Sequence, residues 1–214
     1  MSPTAVWRPL WASAVAALLA ACATTPSVRN ADVLNQATVL IEHAKGHGTG
    51  AIIGPNQVLT AYHVVADAPV VVEFYEGPKV DAWVRWYDET LDLALIQVEV
   101  PHGYPATQLA CERLHTGQHL VAIGHPMRER WVPHDGRLPR TDPVNGSGLV
   151  PLGFEIGLGT SGGPVFDDTG RVAGIALAIL AERRSASAGY DEYKDTGMGL
   201  MLPAAAFCDS LKQQ

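Results

Sequence analysis

The sequence predicts an all-β fold: two packed antiparallel six-stranded β-barrels followed by a short C-terminal helix. Three observations predict it. Short runs of branched residues recur at close spacing from Ala37 onwards, the pattern of many short strands. No long helical periodicity interrupts them, which favours an antiparallel barrel over a helix-covered parallel sheet. The 21 glycines and 15 prolines supply the turns such a chain needs. A length of 214 residues is enough for one domain of two sub-barrels with a sizeable core.

In chain order, Ala37-Thr38-Val39-Leu40-Ile41 opens the strand pattern. Gly48 to Gly54 and Gln57 to Thr60 form a hairpin across Pro55-Asn56, and the hairpin delivers His63 at its far end. The glycines at 48 and 50 are not a phosphate loop, because no Gly-Lys-Ser/Thr follows. Pro69 to Tyr75, Val80 to Tyr87 and Asp92 to Val100 complete a first barrel of about 37–101, and Pro101 to Cys111 crosses to a second of about 112–214. His119 to Pro126 opens that second half, and 127–148 is expected as a long, mobile loop pair. Strands resume near Val150, at Val165-Phe166, at Val172 to Leu180 and at Met198 to Leu202. Glu182 to Asp195 reads as a surface loop, and Ala204 to Lys212 as helix-compatible.

The stretch that concentrates chemistry is Gly157-Leu158-Gly159-Thr160-Ser161-Gly162-Gly163-Pro164. A serine between glycines reads as a nucleophile on a tight turn that a carbonyl can approach closely. Serine needs a base, and all eight histidines (43, 47, 63, 102, 115, 119, 125, 134) precede Ser161. That order excludes an α/β-hydrolase esterase, whose histidine follows the serine, and leaves the order His, Asp, Ser. His63 and Asp92 are the candidates. An aspartate set in Leu91-Asp92-Leu93-Ala94-Leu95-Ile96 is expected to be buried, and burial is costly for a carboxylate without a partner.

Leu59 to Val65 closely resembles the LTAAHVV segment around the catalytic histidine of trypsin-like serine proteases. Leu91 to Ile96 resembles the DLALI segment around their aspartate. His119 to Pro126 resembles the VAIGNP strand of bacterial HtrA-type proteases, and Gly197 to Pro203 their GIGFAIP strand. The resemblance runs from about Ala37 to Leu211. It implies a chymotrypsin-like double barrel and a serine endopeptidase acting on protein or peptide substrates. In it Ser161 attacks, His63 moves the proton and Asp92 orients the imidazole. Backbone N–H groups of Gly159 and Ser161 are the expected oxyanion hole.

Thr160 stands where trypsin-like zymogens carry an aspartate, so no cleavage-activated switch of that kind is expected; ordering of the 127–148 loops is the regulation the resemblance implies. Glu155 falls where those enzymes place the pocket base, with Ala176, Leu177 and Ala178 as walls. The HtrA likeness favours small aliphatic substrate residues. A catalytically silent, protease-fold scaffold is the alternative that retention of all three residue types disfavours.

Residues 1–21 read as a lipoprotein signal peptide: Arg8, an apolar run from Leu10 to Ala21, and the lipobox Leu19-Ala20-Ala21-Cys22. Cys22 is the expected lipidated first residue of the mature chain, which its acyl chains would anchor. Ala23 favours the outer membrane, with the domain in the periplasm on a tether of 22–36. Cys111 and Cys208 are a possible disulfide or two thiols; an oxidising compartment permits the bond. The formal net charge of −7 and the lack of a basic block exclude a nucleic-acid partner. No metal or cofactor is expected: His43/His47 and His115/His119 have four-residue spacing but lie on strand or loop stretches.

Overall fold

The computed structural model describes residues 31–67, 69–184, 192–212 and 214, with the side chains of 182–193 outside that description. Residues 1–30 lie outside it too, and with them the signal peptide, Cys22 and most of the tether. The tether's last residues are not irregular: Ala31–Gln36 is a helix, α1, with Leu34 buried. It ends as Thr38 donates its hydroxyl to Leu34 O at 2.8 Å.

Six strands follow: β1 Thr38–His43, β2 Gly46–Gly54, β3 Gln57–Ala61, β4 Val70–Phe74, β5 Lys79–Asp88 and β6 Leu93–Gln97. They close in the order β1-β2-β3-β6-β5-β4 into an antiparallel barrel, which leaves no open edge. Between β3 and β4 one turn of helix, α2 Tyr62–Val65, carries His63.

The second half pairs in the order β8-β7-β10-β11-β12-β9: β7 His119–Gly124, β8 Val132–Arg137, β9 Val150–Glu155, β10 Pro164–Phe166, β11 Val172–Arg184 and β12 Glu192–Pro203. Its edges β8 and β9 pack on each other, Phe154 lying over Gly136, so this sheet is a nearly closed barrel. The strand β7 shows why the two halves stay together. Leu120 and Ala122 point into the second barrel's core, whereas Val121 and Ile123 point into the core shared with the first, as alternation along a strand requires. A last helix, α3 Cys208–Leu211, closes the chain.

Two stretches expected as loops are partly strand. Val132–Arg137 within 127–148 pairs along its whole length with β7. Glu182 to Arg184 and Glu192 to Asp195 continue the β11–β12 ladder. Both stretches are polar in sequence, so composition hid a ladder held by main-chain hydrogen bonds. Cys111 and Cys208 are disulfide-bonded, Cα–Cα 5.9 Å, tying the crossover between barrels to α3.

Candidate active site

His63 sits where β3 runs into α2, and Asp92 on the turn entering β6. The β3–β6 ladder brings them together, pairing Ala61 with Leu93. The Asp92 carboxylate accepts twice from one residue: from the His63 backbone N–H at 2.9 Å and, through Oδ2, from ring Nδ1–H at 2.7 Å. Tyr62 N–H also donates to Asp92 O at 3.0 Å. Asp92 adopts a left-handed φ of +52°, uncommon outside glycine and tolerated best by Asn and Asp. The expected burial of Asp92 is not found: its side chain is 34% exposed and that of His63 47%. The apolar run around Asp92 belongs to β6, whose buried residues begin one position later at Leu93.

Ser161 lies on the turn before β10, against the same end of β3. Thr49 N–H donates to Ser161 O at 2.9 Å. Gly48 lies between that carbonyl and the side chain of Val64, the residue after His63; a Cβ there would come within 3.1 and 2.6 Å of them. Next to the serine, Gly162 has φ +81°, and a Cβ would meet Thr60 Oγ1 at 2.2 Å. Only glycine satisfies both demands. Backbone contacts thus bring the nucleophile turn to the histidine-bearing segment. Among the described residues no hydrogen bond joins Ser161 Oγ to His63 Nε2; such bonds are commonly long in ligand-free enzymes.

The turn uses three of its N–H groups internally or against β11. Thr160 N–H donates to Gly157 O at 3.1 Å, Gly162 N–H to Ala176 O at 2.7 Å and Gly163 N–H to Thr160 O at 2.9 Å. Among the described residues the N–H groups of Gly159 and Ser161 donate to no protein acceptor. Leu158 O is held outward by Met127 N–H at 2.9 Å, and in a trans peptide the following N–H points the other way. Met127, Arg128 and Trp131 all have positive φ, 54°, 72° and 50°, so the loop that supplies this hydrogen bond carries backbone strain. Thr160 is fully buried, no place for a charge awaiting a partner.

A cleft of about 260 Å³ opens beside Ser161, lined by Ile156, Gly157, Leu158, Leu177, Ala178, Ile179 and Asp195. Of the four residues expected at the pocket, Leu177 and Ala178 are in this lining. Glu155 and Ala176 are not part of this lining. Glu155 is exposed at the end of β9, opposite Met198 and beside Gly197. Ala176 is fully buried, its N–H donating to Gly163 O at 2.9 Å, and so it anchors the nucleophile turn. The carboxylate at the cleft is Asp195, on the stretch of β12 read as a loop, where no sequence signal marked it.

The remaining histidines divide. Burial holds His125 down to about 3, so its ring is neutral, and burial lowers His134 too. His119 donates to Asp168 at 2.7 Å and faces Asp135 at 3.3 Å. The hydrogen bond to Asp168 is the first cause of its raised pKa. A raised folded pKa stabilises below the unfolded value of 6.5 and is lost as pH rises through the folded value. His119→Gln is therefore expected to lower the melting temperature most at about pH 5 to 6. The difference should shrink on the alkaline side; an equal loss at every pH would refute the ion-pair account. Among the described residues no three His, Cys, Asp or Glu side chains are grouped to hold a metal ion.

Comparison with known proteins gives the same placement. The family described as "Trypsin-like peptidase domain" matches residues 48–175. The periplasmic serine endoprotease DegP of Salmonella typhimurium is 34% identical over 153 residues, 67% of this chain and 30% of that protein. Serine protease Rv3671c of Mycobacterium tuberculosis is 29% identical over 147 residues, 63% of this chain and 36% of that one. The chain thus spans about a third of the length of the curated relatives it matches. The structure of the HtrA-type protease AlgW with a tripeptide superposes with TM-score 0.72 at 22% identity, covering 86% of this chain and 62% of that one. This likeness bears on the fold alone.

Proposed function

This chain belongs to the trypsin-like peptidase family, and from that premise we propose that it is a serine endopeptidase working through Ser161, His63 and Asp92 and an acyl-enzyme intermediate. The observation that carries the reading is the two-point grip of Asp92 on His63, at 2.9 and 2.7 Å. It leaves Nε2 as the basic nitrogen, on a segment packed against the serine turn. In the reaction Ser161 Oγ bonds to the scissile carbonyl carbon as its proton passes to Nε2. The developing oxyanion takes the N–H groups of Gly159 and Ser161, and His63 returns the proton to the leaving amine. Water then releases the acyl group by the same route.

The cell-envelope placement follows from the N-terminal signal: lipidated Cys22 anchoring the domain in the outer membrane, facing the periplasm. The relatives named as periplasmic support the compartment.

The test is labelling by a fluorophosphonate probe, located by peptide mapping, on the chain from Cys22 onwards. Modification at Ser161 together with cleavage of a peptide library is the expected outcome. No label and no cleavage would leave a silent scaffold.

The side chains of Ile156, Leu158, Leu177 and Ile179 in the cleft favour aliphatic residues at the cleaved position. Peptides with valine there are expected to be cut faster than those with lysine. Glu155→Gln is expected to leave that ratio unchanged, since Glu155 is outside the lining; a changed ratio would restore it to the pocket.

A further inference from the structure

We propose that Thr49 and His125 are positioning residues for the oxyanion hole: together they hold the Gly159–Thr160 peptide, which lies between the two peptides that carry the Gly159 and Ser161 N–H groups, and so keep both N–H groups facing the substrate. This rests on Ser161 being the nucleophile. Thr49 touches both halves of the turn. Its backbone N–H donates to Ser161 O at 2.9 Å, and its hydroxyl donates to Gly159 O at 2.7 Å. The residue is fully buried, so water does not compete for either bond.

The turn needs such a hold. Gly159 has φ +104°, and a Cβ on it would come within 2.3 Å of His47 Nε2 and 2.4 Å of His125 O. Glycine is required here, and glycine has the weakest preference of its own for one peptide orientation. The Met127 N–H fixes the peptide before Gly159; the Thr49 hydroxyl fixes the one after it.

A hydroxyl rotates freely unless its lone pair is engaged. Here His125 Nδ1 lies 2.9 Å from Thr49 Oγ1. Thr49 spends its proton on Gly159 O, so Nδ1 must carry the hydrogen and donate. His125 is therefore the Nδ1–H tautomer, and its Nε2 is the buried nitrogen left without a partner. The ring is seated from outside: Trp131 packs edge-on at 4.8 Å and is pinned by its own Nε1–H to Thr38 O at 3.0 Å. His47 Nε2–H donates to His125 O at 2.8 Å. In the VAIGNP pattern an asparagine occupies this position, a second residue type able to offer an N–H there.

The test compares Thr49→Val, Thr49→Ser, His125→Phe and His125→Asn with the wild type. It measures kcat and KM on one peptide, inhibition by a peptide boronate that forms a tetrahedral anionic adduct, and melting temperature. Removing one oxyanion donor typically costs about 10²- to 10³-fold in kcat; misorienting it is expected to cost about 10- to 100-fold. Thr49→Val and His125→Phe should lose kcat by that factor with KM unchanged, and boronate affinity should fall in parallel. Thr49→Ser and His125→Asn should recover most of it. Wild-type kcat in folded Thr49→Val, or a loss confined to KM, would overturn the proposal while leaving the enzyme reading intact. If Thr49→Val does not fold, the contrast between His125→Phe and His125→Asn decides alone, equal activities refuting it. A wild type that neither cleaves nor labels would remove the peptidase reading and this proposal together.

Discussion

Ser161→Ala is expected to lower peptide hydrolysis by about 10⁶-fold with little change in melting temperature. The size follows from the division of labour at the site. Without the hydroxyl there is no acyl-enzyme, and the N–H groups of Gly159 and Ser161 polarise a carbonyl that nothing attacks. Only the oxyanion contribution remains, about 10³-fold over water in such enzymes. Asp92→Asn is the companion variant. The amide no longer forces the hydrogen onto His63 Nδ1, and loss of the correct tautomer costs about 10⁴-fold. The amide oxygen can still accept the His63 backbone N–H, the bond made at 2.9 Å in the wild type, so the NH2 is left facing Nδ1 and α2 should stay folded. The measurement is single-turnover cleavage across pH, with circular dichroism to check folding. Substantial hydrolysis by Ser161→Ala would sink the assignment of the nucleophile. An Asp92→Asn variant within tenfold of wild type would sink the orienting role.

The second large effect concerns stability. Cys111 and Cys208 are 97 residues apart in sequence. A cross-link closing so long a loop restricts the unfolded chain by about 4 to 5 kcal/mol in the chain-entropy description. The bond also joins two seams of the native fold. Ala110, next to Cys111, donates its N–H to Val172 O at 2.8 Å, hitching the crossover to β11. Cys208 is buried beside Phe207 in the core shared by both barrels. Reduction, or the double variant Cys111→Ala with Cys208→Ala, is expected to move the urea midpoint markedly downwards and make it insensitive to dithiothreitol. A wild type that unfolds at the same urea concentration with and without reductant would show that the bond contributes nothing.

Several elements were legible from residues alone because their causes are local. Short runs rich in branched residues mark the strands of the first barrel, and glycines around Ser161 mark a turn whose backbone no other residue could follow. The order of histidine, aspartate and serine along the chain selected one topology among three. Other features escaped because local composition misleads. Val132–Arg137 and the outer ends of β11 and β12 are polar, and a ladder lives on main-chain hydrogen bonds that side-chain pattern does not record. Asp92 looked buried because its neighbours are apolar, yet the chain turns there at φ +52° and leaves the carboxylate about a third open to water.

What the sequence determined by itself is the all-β class, the catalytic candidates and the turn that carries Ser161. These depend on residue type and order, which folding cannot alter. What only the tertiary structure decided is which groups meet: Asp195 rather than Glu155 at the cleft, Ala176 behind the turn rather than in the pocket, and Thr49 with His125 against Gly159. Such meetings join residues as much as 110 positions apart. They arise from the register of two barrels packed on one core, and no window along the chain contains that register.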